Sequence, residues 1–421
     1  MKILMFRPTY YPEISGGTHL GIDLIKDLIK AGHEVVLITP APWRVSEDIK
    51  LKYKNMKIEK QYNDKLIINR VYISANEKSI TSRAVRMLLL TLGMSFRALK
   101  EKNVDIIMSH SMPVFIGPIS VLLKKLKRVP LLYLESDVVS ESVISTGIAK
   151  EGLKKKLLYS MGKTLEKISL KGSEYIITVS ELFRKRNIDD GIPKEKIEVI
   201  YNWIDTNKVT PIPRKDNILF DRFQLDRDKF YVTYCGNLGL PQNVEIIVDA
   251  AKGLEQIKDL EFVIIGGGVR QKEIKQYIDD SNATNIKFFP LQPLEEVSYV
   301  YSLGDVGVVL GKKGTSKNGF PSKTWTMMST GQAIISCFDL ESELSASVIE
   351  GECGIAIEPD SPEKLKQAIL EMYNNKQYAK RCGLNSRRYV NEYFSRKIAT
   401  RKYINALEKL VSNKNIMNGD Y

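Results

Sequence analysis

Three stretches of the 421-residue chain combine glycine with residues able to hold an anion. In the first, Tyr10-Tyr11-Pro12-Glu13-Ile14-Ser15-Gly16-Gly17, paired glycines stand between an apolar run and an amphipathic one. Gly16 and Gly17 let backbone approach a ligand closely, and the free N–H groups of a helix start favour negative charge there. The spacing is not G-x-G-x-x-G, so the dinucleotide fingerprint is absent, and a Gly-Gly turn also serves plain tight packing. The second stretch is Gly266-Gly267-Gly268-Val269-Arg270, where backbone N–H groups and a guanidinium could meet a phosphate, or where a glycine-rich turn simply carries a surface arginine. The third is Lys317-Asn318-Gly319-Phe320-Pro321-Ser322-Lys323-Thr324-Trp325-Thr326. Pro321 suits the first turn of a helix, which places Ser322 and Lys323 at its positive end. Three separate anion-friendly helix starts point to a phosphate-bearing ligand.

The elements that must position these stretches follow from hydrophobic periodicity. Short apolar runs predict strands over 2–6, 34–39, 105–108, 131–134, 175–179 and 197–200. Helical segments lie between them, the first over 17–31 and closed by Gly32. After a polar, proline-containing stretch over 206–228 the pattern restarts, with strands expected over 231–235, 262–265, 287–289, 306–310 and 333–336 and a helix over 243–254. Such alternation is the mark of a doubly wound, mainly parallel α/β sheet. Two Rossmann-like halves joined near residue 210 are the economical reading, with a ligand expected at the carboxyl ends of the strands.

Composition sets the outer limits. Hydrophobic residues make up 43% and charged residues 27%, which excludes a disordered, collagenous or multi-span membrane chain. Four cysteines without a C-x-x-C spacing offer neither a disulfide framework nor a metal site, and a reducing cytoplasm is expected. The amino-terminal apolar run meets Arg7 and Pro8 before a signal-peptide core could form, and the longest apolar stretch, 87–94, falls short of the ~20 residues a spanning helix needs. Lys and Arg number 63 against 50 Asp and Glu, a net charge of +13. Much of the excess lies in the Lys150–Lys171 region, where Leu153, Leu157, Leu158 and Met161 interleave with lysines at helical spacing. That segment could lie on an anionic membrane leaflet or be a solvated face of an ordinary packed helix. No nucleic-acid reader motif accompanies the charge, so no nucleic acid partner is expected.

At the junction of the halves, Val179-Ser180-Glu181, Gly191-Ile192-Pro193-Lys194-Glu195-Lys196-Ile197 and Ile200-Tyr201-Asn202-Trp203-Ile204-Asp205 stand in order. Together they resemble the interdomain signature of family 4 glycosyltransferases. Gly16-Gly17 with Leu28 and Gly32-His33-Glu34-Val35 are similar to the amino-terminal part of that family, and Cys235-Gly236-Asn237-Leu238-Gly239 with Gly266–Gly268 to its carboxyl-terminal part. The resemblance implies a GT-B fold: two Rossmann-like doubly wound domains facing a central cleft, an acceptor-binding domain over 1–208, a nucleotide-sugar-binding domain over 209–394 and a terminal helix over 395–421 crossing back to the first domain. It also implies retention of anomeric configuration. Glu135-Ser136-Asp137-Val138-Val139-Ser140-Glu141-Ser142 and Pro321-Ser322-Lys323 are similar to segments of bacterial O-antigen and capsule transferases of the N-acetyl-L-fucosaminyl transferase type.

The chain departs from the family where charge matters. The E-x7-E positions hold Asn318 and Thr326, and the Arg and Lys that usually hold the diphosphate are Asn237 and Gln242. Donor binding is therefore expected from Gly16, Gly17, Gly236, Asn237, Gln242, Gly267, Gly268, Asn318, Gly319, Phe320, Ser322 and Thr326. Lys323 first and Arg270 second are expected to stabilise the departing phosphate, which in this family needs no essential metal, with Asp137 or Glu141 assisting the acceptor hydroxyl. His33, after the helix-ending Gly32, reads as structural; His19 and His110 could line the acceptor side. The expected partners are a nucleotide-sugar donor, UDP-linked, a lipid-linked saccharide and the inner face of the cytoplasmic membrane, with no cofactor and no metal. A nucleotide-sugar epimerase of the same fold and a non-catalytic nucleotide-sugar-binding partner are the alternatives.

Overall fold

Continuous apolar runs, rather than alternating ones, are what strands covered by helices on both faces require. The computed structural model describes residues 1–14, 17–73, 80–138, 140, 153–315 and 320–418, and divides them into two units, Met1–Tyr201 with Thr400–Tyr421, and Asn202–Ala399. The first unit holds an eight-stranded sheet of β1 (Lys2–Phe6), β2 (Glu34–Pro40), β3 (Ile58–Gln61), β4 (Leu66–Val71), β5 (Ile106–His110), β6 (Leu131–Glu135), β7 (Tyr175–Thr178) and β8 (Ile197–Val199). Their spatial order is β3-β4-β2-β1-β5-β6-β7-β8, and every pairing is parallel except that of β3 with β4. The chain leaves β1 toward one side and returns to β5 on the other, so the order reverses between these two strands.

The second unit repeats the arrangement with β9 (Phe230–Asn237), β10 (Leu260–Gly267), β11 (Ile286–Phe289), β12 (Val306–Leu310), β13 (Ala333–Cys337) and β14 (Gly354–Ile357). All are parallel, in the order β11-β10-β9-β12-β13-β14, and the reversal falls between β9 and β12. Strand periodicity sends alternate side chains to opposite layers. Phe230, Val232 and Tyr234 join Phe262, Ile264, Val306 and Val308 in one core, while Tyr231, Cys235, Val263 and Ile265 pack into the other.

The division between units falls a few residues before the expected 208/209. Trp203 is buried, Ile204 bridges to Ser395, and Arg387 ties the connecting segment down. Its Nη1 donates to the carbonyl oxygens of Val209 at 3.0 Å and Ser329 at 2.6 Å, and its Nη2 to that of Thr206 at 2.7 Å. The last helix, Arg396–Asn418, passes into the first unit at Thr400 rather than at 395. There Glu408 Oε1 lies 3.1 Å from His33 Nε2, which gives that histidine a structural partner, and Tyr403 is buried.

Replacing Arg387 by Ala takes a donor from three carbonyl groups, of which that of Val209 keeps the Ser329 hydroxyl at 2.6 Å. We expect a loss of roughly 2–3 kcal/mol in urea unfolding, with the midpoint falling at unchanged slope.

Candidate functional site

In a doubly wound sheet the crevice lies at the carboxyl ends of the strands, where the order reverses. In the second unit that point gathers the end of β9, the turn after β10 and the helix Lys323–Ser329 that follows β12. Gly236 pairs in register with Gly266, and Asn237 with Gly267. Gly268 has φ +141°, and a Cβ there would stand 2.5 Å from Asn237 Oδ1 and 2.8 Å from the Leu238 oxygen, so only glycine lets this turn close over the Asn237 side chain. Gln242 Oε1 accepts from the Gly239 N–H at 3.2 Å, and the Tyr234 hydroxyl donates to the Asn237 oxygen at 2.7 Å. The β9 end is thereby held from three sides.

Lys323 reaches back across this turn. Its Nζ lies 4.0 Å from the centroid of the Tyr234 ring and 3.7 Å from where a Cβ on Gly236 would sit. The ammonium nitrogen is closed off from water and has no hydrogen-bond partner among the described residues. Burial pushes its pKa down to about 8. A cation at the first residue of a helix also faces the positive end of the backbone dipoles. The face of Tyr234 offsets part of this crowding of positive charge, and an anion would relieve it further.

The first unit places a second group at its own reversal, between β1 and β5. Arg7, just past β1, is buried and donates from Nη2 to the Gly17 oxygen at 3.0 Å; burial lowers its pKa to about 10. His110 ends β5 and is buried beside it. Met112 N–H donates to His110 Nδ1 at 3.2 Å, which leaves the ring proton on Nε2 to donate to Ser136 Oγ at 3.0 Å. The Ser136 hydroxyl in turn donates to Asp137 Oδ2 at 3.1 Å, and Ser111 Oγ accepts from the Asp137 N–H at 3.3 Å. Burial first, and the charge of Arg7 second, hold the His110 pKa well below its usual value. Behind this chain, Glu135 at the end of β6 accepts from Arg186 Nη2 and from Asn187 Nδ2, each at 2.5 Å, and burial pushes its pKa up to about 7.

Two sequence models match, one to each unit. Residues 14–208 match Glycosyltransferase Family 4 and residues 216–389 match Glycosyl transferases group 1. The chain belongs to these glycosyltransferases. Among its relatives is a putative colanic acid biosynthesis glycosyl transferase, WcaI, of Escherichia coli, 25% identical over 90% of this chain and 96% of that protein. Another is the Escherichia coli UDP-Gal:alpha-D-GlcNAc-diphosphoundecaprenol alpha-1,3-galactosyltransferase, 27% identical over 44% of this chain and 47% of that one. The solved structure of Anabaena Alr3699/HepE in complex with UDP superposes with a TM-score of 0.68 at 15% identity, over 97% of this chain and 100% of that one. The two-domain α/β architecture is therefore the GT-B fold.

The transferase brings several of the expected residues together and separates others. Gly236, Asn237, Gln242, Gly267, Gly268 and Lys323 meet at one crevice; His110 and Asp137 meet at the other through Ser136, with Gly17 tied in by Arg7. Arg270 is ion-paired. Its guanidinium is buried between Glu273 and Glu245: Nε donates to Glu273 Oε2 at 2.9 Å, Nη2 to Glu273 Oε1 at 2.6 Å, and Nη2 also to Glu245. These two carboxylates hold its pKa above its usual value, so a phosphate would have to compete with them for the guanidinium. Phe320 stacks on Trp325 at 3.9 Å, and Trp325 on Phe394 at 3.6 Å, so the Phe320 ring packs beneath the Lys323 helix. Ser322 is exposed as the cap of that helix, Thr326 lies one turn along it, and His19 is exposed on the helix Thr18–Lys30. Gly16, Glu141, Asn318, Gly319 and Lys150 lie outside the described residues. Of the remaining lysine cluster, Lys163 is held by Asp190 at 2.6 Å, while Lys156, Lys167 and Lys171 are exposed. Among the described residues no helix is long and apolar enough to cross a membrane.

Sequence reasoning passed over Arg7, Ser136 and Tyr234. Arg7-Pro8 immediately after a buried strand was a signal for the first; Tyr234 reads simply as core until Lys323 is placed over it. The neutral state of His110 can be checked directly: its ring carbon shifts should stay constant as pH passes through 6.5, and a titration centred there would show a solvated imidazole instead.

Proposed function

We propose that this transferase moves a sugar from a UDP-linked donor to a hydroxyl of a lipid-linked saccharide in the assembly of a bacterial surface polysaccharide, of O-antigen or capsule type, with retention of anomeric configuration. The observation that carries the reading is the enclosed ammonium of Lys323 at the β9–β12 reversal, which has no hydrogen-bond partner among the described residues. In the reaction the bond between the anomeric carbon and the β-phosphate oxygen breaks, and a bond to the acceptor oxygen forms. Negative charge accumulates on the departing diphosphate, and Lys323 meets it without reorganisation in a site of low dielectric. The proton of the acceptor hydroxyl passes to the leaving phosphate, while Asp137, set by Ser136 and His110, orients that hydroxyl.

The relatives named for colanic acid synthesis and for galactosyl transfer to a diphosphoundecaprenol acceptor support the acceptor class, and the UDP-Gal relative together with the UDP-bound structural neighbour supports the nucleotide. The Glu135-Ser136-Asp137 and Pro321-Ser322-Lys323 segments make a UDP-linked N-acetylated deoxyhexose, as used by N-acetyl-L-fucosaminyl transferases, the first donor to try. We place the protein at the cytoplasmic membrane face, where such acceptors are elongated. The proposed mechanism calls on no metal, the charge stabilisation being assigned to Lys323.

Transfer of radiolabel from a panel of nucleotide sugars to a lipid extract tests the reading, and retention of label in free sugar alone would count against it. Lys323→Met should lower kcat by roughly 10²–10³-fold with the fold intact. Because burial lowers this lysine's pKa, its charged form predominates at pH 7 and is lost as pH rises through about 8. The free-enzyme kcat/KM should therefore fall above that pH, and a profile flat to pH 10 would remove Lys323 from the role. Activity should survive EDTA; strict dependence on added Mg²⁺ would move the charge stabilisation to a cation.

A further inference from the structure

The helix Ile80–Lys100 crosses from β4 to β5, and the helix Ile116–Lys127 from β5 to β6. Both connections advance in the same direction along the sheet, so right-handed crossover puts them side by side on one face. Leu90, Met94, Ala98, Ile116 and Leu123 confirm this by packing into a single core with Leu4, Phe6, Val36 and Ile38. A helix that covers a sheet with one side should present polar residues on the other. Here it does not. Val85, Leu88, Leu89, Leu92, Phe96 and Leu99 are each 44–58% exposed, forming a stripe at helical spacing along the whole outer side of the first helix. Leu122 and Leu126, at 57% and 61%, extend it onto the second. Isolated exposed leucines are ordinary, but eight on two adjoining helices form a continuous apolar surface of the kind that binds something.

The charge around the stripe says what. The two helices together contain seven Lys or Arg and no Asp or Glu. Some of these cations are occupied: Lys124 pairs with Glu174, and Lys127 donates to the Leu99 and Glu101 oxygens. Arg97, Lys100 and Lys125 have no acid partner among the described residues, and Lys100 Nζ sits 4.3 Å from the centroid of the Phe96 ring, at the edge of the stripe. An apolar strip bordered by unneutralised cations matches the acyl–headgroup boundary of an anionic bilayer, where the side chains enter the apolar layer and the cations stay among the phosphates. A protein partner would have to be both apolar and acidic to fit equally well.

We infer that the outer faces of Ile80–Lys100 and Ile116–Lys127 form the surface by which this protein docks on an anionic phospholipid leaflet, by insertion of Leu92, Phe96 and their neighbours. This replaces the Lys150–Lys171 region as the principal contact, and it deepens the lipid-linked acceptor reading, on which its purpose rests.

Vesicle co-sedimentation of the full chain, without donor or acceptor, reads the docking separately from catalysis. The wild type should bind mixed phosphatidylglycerol–phosphatidylcholine vesicles and bind pure phosphatidylcholine weakly. The double variant Leu92→Asp/Phe96→Asp should lose at least about tenfold in partition, with UDP binding by the second unit and the thermal melt unchanged. If that variant folds poorly, Arg97→Gln/Lys100→Gln/Lys125→Gln, which leaves the apolar stripe intact, should lower binding to the anionic vesicles by a similar factor and flatten its salt dependence. Lys167→Gln/Lys171→Gln should bind like the wild type. Wild-type binding to neither vesicle, loss of binding only in the Lys167/Lys171 variant, or concentration-dependent dimerisation of the wild type that Leu92→Asp/Phe96→Asp abolishes would each overturn the inference. Absence of sugar transfer with vesicle binding intact would sink the proposed function and leave this surface standing.

Discussion

Parallel strands deliver all their carboxyl ends to one edge of a sheet, and wherever the strand order reverses, the connections on either side lead away from each other and leave that edge uncovered. Most of what this protein can do follows from that constraint operating twice. Between β1 and β5 the open edge receives Arg7, His110 and, one strand further, Ser136 and Asp137. Between β9 and β12 it receives Gly236, Asn237, Gly268 and Lys323. Neither set is contiguous in sequence; each is assembled because the backbone at a strand end has nowhere else to put the next residues. The glycines are part of the same economy, since a turn that must both end a strand and leave room for a ligand has no space for a Cβ at Gly268.

The two edges are furnished with opposite electrostatic logic. In the second unit a cation is enclosed with no hydrogen-bond partner among the described residues, which costs the fold something and favours an anion there. In the first, the nearest cation, Arg7, is buried against the Gly17 oxygen, and burial first, with the charge of Arg7 second, keeps His110 neutral. A neutral imidazole with its proton on Nε2 is a steady donor to Ser136, and Ser136 is then a steady donor to Asp137. The carboxylate at the end of that chain is held in orientation by groups that do not change charge near neutral pH. An acid–base pair would use a titrating histidine; an orienting device is better served by a silent one.

Much of this was legible in the residues, and what was not has an identifiable cause. Strands with continuous apolar runs, such as β9 and β12, announce themselves because both faces are buried. The hairpin of β3 and β4 does not: β3 is four residues, Ile58–Gln61, polar and at the sheet edge, where short charged strands are the rule. The helix Ile80–Lys100 was read only as an apolar stretch too short to span a bilayer, because periodicity sought one apolar face and this helix has two. Lys323 could be chosen from type and spacing alone, since its surroundings are built from its own helix and the neighbouring strand. The pairing of Arg270 could not be read that way. The acid that completes its capture, Glu245, comes from the preceding helix, 25 residues away, and nothing local reveals the encounter.

The fate of Arg270 also explains why the residues after Lys323 are what they are. Glu273, three positions on from Arg270, folds back along one helical turn to occupy the guanidinium, as residues spaced i and i+3 on a helix are placed to do. The residue three positions on from Lys323 is Thr326. A carboxylate there would stand in the same relation to the ammonium, and would neutralise it before any ligand arrived. A threonine can offer a hydroxyl but not a countercharge. With a neutral side chain at 326, and with Asn237 and Gln242 neutral as well, the Lys323 ammonium is left without a hydrogen-bond partner among the described residues.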